Sequence, residues 1–216
     1  IIFGPGEAEN IGKYTKEYGT KALLVTYDVH DFFNELLAKL DKSFKDAGVT
    51  VTEFFKVKPN PRLSDIEEAI DICRKEGIEV IVALGGGSVM DSAKAIGAGV
   101  KYDGDPWKMF VSRHDKAVAV PPTDTLPTIM IPTKSATSSE TNNVAVATND
   151  RTHEKAYIWA PVLYPKICVM DPCVTATLPK FPMAAGAVDA MSHVLEAYLN
   201  GDQNSPVQDR CHEGLL

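Results

Sequence analysis

The chain has 216 residues, 44% of them hydrophobic and 24% charged, with a formal net charge of −7. That length suits one large domain, or one domain and part of a second, of a soluble globular protein. The acidic balance and the lack of any basic cluster exclude a nucleic-acid partner and an anionic membrane surface, and no apolar run reaches the roughly 20 residues that span a bilayer.

In chain order, Ile1-Ile2-Phe3 reads as a strand, and the stretch IIFGPGEAEN lacks the charged n-region and long apolar h-region of a signal peptide. KALLVT (21–26) is a short apolar strand. The next segment repeats Phe33, Leu37, Leu40, Phe44 and Ala47 at helical spacing and stops at Gly48. VTVTEFF (49–55) is β-branched enough to be a strand, and KPNPR is a turn. A helix with the apolar face Ile66, Ala69, Ile70 and Cys73 is expected to open on a Ser64/Glu67 capping box and close at Gly77. IEVIVAL (78–84) is apolar throughout, as in a strand covered on both faces. Gly85-Gly86-Gly87-Ser88 then leads into a helix predicted to start near Asp91. The stretch from about 101 to 126 is irregular, and TIMIP (128–132), VAVAT (144–148) and KICVMD (166–171) read as further strands.

This alternation predicts an α/β fold with a doubly wound, Rossmann-like parallel sheet. After Pro182 the texture becomes helical without strands, in MAAGAVDAMSHVLEAYLN and again in SPVQDRCHEGLL. A boundary near residues 178 to 183 divides the chain into a dinucleotide-binding domain, 1–180, and the beginning of an all-helical domain, 181–216. The missing initiator Met and the final helical pattern without a cap suggest a piece of a longer protein.

An apolar strand, a glycine turn and a helix make an anion site. Glycine lets a ligand approach the backbone or allows positive φ, and the first N–H groups of the helix are unpaired and sit at the positive end of its dipole. Ser88 can cap the helix or donate its hydroxyl to the ligand. The turn is neither G-x-G-x-x-G nor a P-loop; the alternative is a tight turn with a Ser88/Asp91 capping box. The loop IPTKSATSSETNN (131–143) carries Thr133, Ser135, Thr137, Ser138, Ser139 and Thr141. It is either a solvated loop or a row of short donors at the end of the sheet.

Further on, Asp189 and His193 stand at i and i+4, with Glu196 one turn later, beside an apolar face of Val188, Met191, Leu195 and Tyr198. Such a pair is either a surface contact or two ligands of a divalent metal, which needs at least three. His30, His114, His153 and His212 show no usable pairing with carboxylates. Cys73, Cys168, Cys173 and Cys211 form no C-x-x-C pair and fit free thiols in a reducing cytoplasm; Cys168 and Cys173 read as core or near-core. Glu140 is an acid/base candidate or an ion-pair partner, and no Ser–His–Asp order is legible.

GGGSVMDSAKAI, PTKSATSSETN, DPCVTATLPK and AAGAVDAMSHVLEAY occur in an order and spacing that resemble the iron-dependent, group III alcohol dehydrogenases. KPNPRLSDIEEAIDICRKEGIEVIVALGGGSVMDSAKAI is most similar to their butanol dehydrogenase branch. The resemblance implies an α/β domain for NAD or NADP, a helical domain for Fe²⁺ or Zn²⁺, a small alcohol or aldehyde as substrate, and a cytoplasmic homodimer or larger assembly. It implies that Gly86, Gly87 and Ser88 hold the diphosphate, that Asp91 follows them, and that Thr133, Thr137, Asn142 and Lys155 contact the cofactor. Asp189 and His193 match the first two metal ligands, with no catalytic residue beyond the ligands. Two further histidine ligands lie downstream in the family and are not in this sequence. The family loop Thr-Gly-Ser-Glu is Thr137-Ser138-Ser139-Glu140 here. In the family a carboxylate after the first strand selects NAD; Tyr27, with Asp28 beside it, leans the choice towards NAD. The alternatives are a nucleotide-binding module without catalysis, or a glycerol dehydrogenase-like enzyme of the same architecture.

Overall fold

The computed structural model describes residues 1–28, 31–112, 119–176, 178–199, 210, 213 and 214, with Phe32 and Ala197 by backbone only. The apolar runs become strands and the 3.6-period segments become helices. In chain order they are β1 (Ile2–Phe3), α1 (Ile11–Lys16), β2 (Lys21–Tyr27), α2 (Asn34–Ala47), β3 (Thr50–Val57), α3 (Leu63–Glu76) and β4 (Val80–Gly85). Then follow α4 (Gly87–Lys101), β5 (Thr128–Pro132), β6 (Val144–Asn149), β7 (Glu154–Trp159), β8 (Ile167–Met170), α5 (Pro172–Thr175) and α6 (Lys180–Leu199). Gly48 and Gly77 end α2 and α3 in the left-handed conformation, with φ of 69° and 68°, as their sequence positions predict.

Six strands form one parallel sheet in the order β1-β8-β5-β4-β2-β3. Every residue of β4 is buried, because helices cover both faces. One face packs Leu23, Val25, Ile81 and Ala83 against α3 and α4. The other packs Leu24, Val80, Val82 and Leu84 against Ile11, Leu40 and Phe44 of α1 and α2. The chain leaves β2 towards β3 through α2 on one face and returns to β4 through α3 on the other. The strand order therefore reverses between β2 and β4, which opens a crevice beyond their C-terminal ends.

Several expectations give way here. α3 begins at Leu63 after an extended Arg62, with no side-chain cap. Ser64 and Glu67 face elsewhere: the Ser64 N–H donates to Asp150 Oδ1 at 3.1 Å, and Glu67 pairs with Arg151. There is no capping box, because contacts with the β6–β7 turn claim both ends of it. VAVAT is a strand, but it leaves the parallel sheet and pairs antiparallel with β7, a strand whose sequence EKAYIW has no continuous apolar run. Cys168 is buried and Cys173 is exposed, since Cys173 lies on the short α5 rather than in β8. α6 starts at Lys180, so Pro182 falls in its first turn, where the missing N–H costs nothing. The apolar face of α6 is not in the core: Val188 is 65% and Tyr198 62% exposed. The expected last helix, 205–216, and His30, His114, His212 and Cys211 lie outside the described residues, apart from isolated positions of that helix.

Candidate functional site

The helix after the glycine turn starts four residues earlier than expected, at Gly87, with Gly86 as its N-cap. None of the three glycines takes positive φ; Gly86 has φ −88° and ψ −165°, which is extended backbone. What the turn requires is room. A Cβ on Gly85 would lie 2.5 Å from Val89 Cγ2, one on Gly86 2.9 Å from the Tyr27 hydroxyl, and one on Gly87 2.9 Å from Thr137 Cγ2. The Ser88/Asp91 capping box does not form, because Ser88 already lies within the helix.

Tyr27, at the end of β2, accepts the Gly86 N–H at 2.8 Å. Burial raises its phenol above the ordinary range, so it stays neutral. The Gly86 amide is thus already engaged. The amides of Gly87 and Ser88, at the head of α4, have no carbonyl one turn back and are the ones a ligand can use. The Ser88 hydroxyl accepts the Asn60 N–H at 3.3 Å and keeps its own proton for a ligand.

Around this turn lies a cleft of about 380 Å³. It gathers Gly87, Ser88 and Asp91 from α4, Thr137 and Asn142 from the hydroxyl-rich loop, Lys155 from β7, and Asp189 and His193 from α6. Eight of the ten residues singled out in the sequence thus share one wall-to-wall site. Gly86 stands behind it. Thr133 is buried, and its N–H donates to the Gly85 carbonyl at 3.1 Å, which ties the end of β5 to the glycine turn.

Asp91 also faces inward. Its Oδ1 accepts the Ser139 hydroxyl at 2.6 Å and its Oδ2 the Val146 N–H at 3.0 Å. Burial raises its carboxyl above the usual range, opposed by those two bonds and by Lys94. Asp91 therefore braces the loop and β6 against α4. The loop itself is strained: Ala136 and Ser138 have φ of 108° and 50°. Ser138 is where the resemblance expects glycine, and the left-handed region costs an L-residue roughly 1–2 kcal/mol.

Two residues of the site escaped the sequence reading. Asn60, with φ 62°, spans the cleft by donating its N–H to Ser88 and accepting Lys155 Nζ on its Oδ1 at 2.9 Å. Its signal was the turn KPNPR, where asparagine is the non-glycine residue best suited to positive φ. Lys94 is fully buried and bonds the loop from below. On the opposite side, a Cβ on Gly186 of α6 would lie 3.2 Å from the Ser135 carbonyl, so helix and loop cross almost backbone to backbone.

The chain that carries this cleft is matched by known proteins. The family model for iron-containing alcohol dehydrogenase covers residues 1–172. The chain belongs to the iron-containing alcohol dehydrogenase family. Within the family it resembles the butanol dehydrogenase branch. It is 41% identical to probable NADH-dependent butanol dehydrogenase 1 of Bacillus subtilis (strain 168), over 100% of this chain and 54% of that protein. It is 38% identical to NADH-dependent butanol dehydrogenase A of Clostridium acetobutylicum, again over 100% and 54%. The crystal structure of NADH-dependent butanol dehydrogenase A from Thermotoga maritima superposes with a TM-score of 0.89 and 38% identity, over 99% of this chain and 52% of that one. The chain thus spans about half the length of the relatives it matches.

For an iron-containing alcohol dehydrogenase, the residues present fit a dinucleotide well and a metal in part. Two open helix-terminal amides, a hydroxyl and a lysine line a cradle that a Cβ on Gly87 would obstruct. Asp189 Oδ1 and His193 Nε2 stand 3.7 Å apart, close enough to share an ion, and carboxylate and imidazole suit both iron and zinc. Among the described residues no group of three or more His, Cys, Asp or Glu gathers around them.

Proposed function

We propose that this chain is the cofactor-binding part of an NADH-dependent dehydrogenase that interconverts a small alcohol and its aldehyde with the help of Fe²⁺ or Zn²⁺. The observation that carries the reading is the single cleft in which the Gly87 and Ser88 amides lie across from Asp189 and His193. On this reading residues 1–180 bind the dinucleotide and residues 181–216 open a helical, metal-holding part. The dinucleotide supplies the redox chemistry, and the ion supplies the positive charge that polarises the substrate oxygen.

The chain's own residues do the rest. Gly87 and Ser88 present amide protons to the diphosphate at the positive end of α4. Thr137 and Asn142 close over it, and Lys155, held by Asn60, adds a positive charge. Asp189 and His193 hold the ion from the facing helix, so the cleft between loop and α6 brings substrate and cofactor into one volume. Tyr27, with Asp28 beside it, ends β2 at the position where the family resemblance puts the choice of cofactor, and it leans that choice towards NAD. Free buried thiols at Cys73 and Cys168, both pushed up to about 12 by burial, suit a reducing cytoplasm. A homodimer or larger assembly is carried by the family resemblance alone.

The test is an assay of the intact protein loaded with Fe²⁺ or with Zn²⁺. Butanol-dependent growth of NADH absorbance is expected, and Asp189→Asn or His193→Ala should lower it at least 100-fold while NADH still binds. NADH binding with no turnover of butanol or other short alcohols, under either metal, would instead leave a nucleotide-binding module.

A further inference from the structure

Lys94 sits two turns into α4, the helix whose first amides face the cleft. Its side chain is 0% exposed. Lysine is almost never buried unless it is paired, and an apolar side chain of the same length would fill this space without the cost of desolvating a charge. Something other than packing retains the ammonium. Its Nζ donates to Asn142 Oδ1 at 2.9 Å and to the Val144 carbonyl at 2.8 Å. Asn142 Oδ1 also accepts the Val144 N–H at 3.0 Å. One turn earlier Asp91 takes the Ser139 hydroxyl and the Val146 N–H. An anionic and a cationic side chain of one helix thus fasten residues 139–146 along its flank.

The chemistry of the ammonium fixes an orientation. A lysine can only donate, so the end of Asn142 that faces it must be the oxygen. Asn142 lines the cleft, and its NH₂ is the polar group left over for that side. We propose that Lys94 is a positioning residue for the dinucleotide. It locks the Asn142 carboxamide so that the NH₂ projects towards cofactor oxygens, and it keeps the start of β6 seated beside the glycine turn. The inference rests on the reading that this cleft binds NADH. Lys94 touches no reacting atom, and its effect falls on cofactor affinity, not on the chemical step.

The test is NADH titration of the intact protein by fluorescence, with kcat measured at saturating NADH. Lys94→Met keeps the length and apolar volume and removes both bonds. It should weaken NADH about tenfold and leave kcat within about twofold. Asn142→Ala should weaken NADH to a similar extent, and the double variant should be no weaker than the worse single one, because one residue acts through the other. Lys94→Met with wild-type affinity, or losses that simply add, would overturn the proposal. Asn142→Asp guards against a Lys94→Met that fails to fold. It gains a carboxylate for Lys94 and loses the NH₂, so it should be at least as stable as the wild type and bind NADH at least tenfold more weakly; unchanged affinity there also overturns the proposal. A wild-type protein that does not bind NADH at all would sink the reading of the cleft itself, a result distinct from normal binding by wild type and Lys94→Met alike.

Discussion

Lys94 leaves a mark on stability as well as on binding. Burial lowers its ammonium from 10.5 to about 8, with the carboxylates of Asp91 and Glu140 resisting. Between those values the folded protein holds fewer protons than the unfolded chain. The stability this group contributes is fully present above 10.5 and is lost as pH falls through about 8. The denaturation midpoint of the wild type should therefore rise more between pH 8 and pH 10 than that of Lys94→Met. Parallel curves would mean that Lys94 titrates like an exposed lysine. At this scale the site was only half legible. Gly87 and Ser88 declare themselves because three successive glycines need a reason. Lys94 does not, since in SAKAIG it looks like any solvated helical lysine. Its burial comes from Val144 and Asn142, fifty residues away in sequence.

The helices that the sequence marks most clearly are α2 and α3, each with an apolar stripe and a terminal glycine. α1 carries a less obvious constraint. A Cβ on Gly12 would lie 2.0 Å from the Ser43 carbonyl of α2, and the Gly12 N–H donates to Ser43 Oγ at 3.0 Å. Backbone meets backbone there, and no side chain can move aside. Gly12→Ala should cost about 1–3 kcal/mol, read as a lower midpoint in urea, with NADH affinity per folded molecule unchanged because the crossing lies away from the cleft. The β6–β7 hairpin shows why the rest of the fold was harder to read. VAVAT has the composition of a sheet strand, and composition does not say which strand it pairs with. Glu154–Trp159 alternates buried and exposed residues along a surface ribbon, a weaker signal than the continuous apolar runs of β4 and β5. The same non-local docking removed the expected capping box, because Asp150 and Arg151 at the hairpin turn captured Ser64 and Glu67.

At the scale of the molecule, and among the described residues, the parallel sheet is covered on both faces while the apolar face of α6 is not. Phe181, Val188, Tyr198 and Leu199 stand in solvent on a helix of twenty residues. A contiguous apolar face of this kind is uncommon on a self-contained surface. A protein limited to residues 1–216 should bind a hydrophobic dye such as ANS strongly, and Val188→Gln with Leu195→Gln should reduce that signal while leaving the melting of the α/β part unchanged. Equal dye fluorescence from both proteins would place the apolar surface elsewhere. The close crossing of Gly186 and Ser135 gives this helix a fulcrum. Asp189 lies about 4.5 Å and His193 about 10 Å beyond it along the axis, at 1.5 Å per residue. Any tilt about that point swings the imidazole roughly twice as far as the carboxylate. The pair itself keeps its spacing in such a tilt, so what the lean of α6 sets is the reach from Asp189 and His193 to the glycine turn.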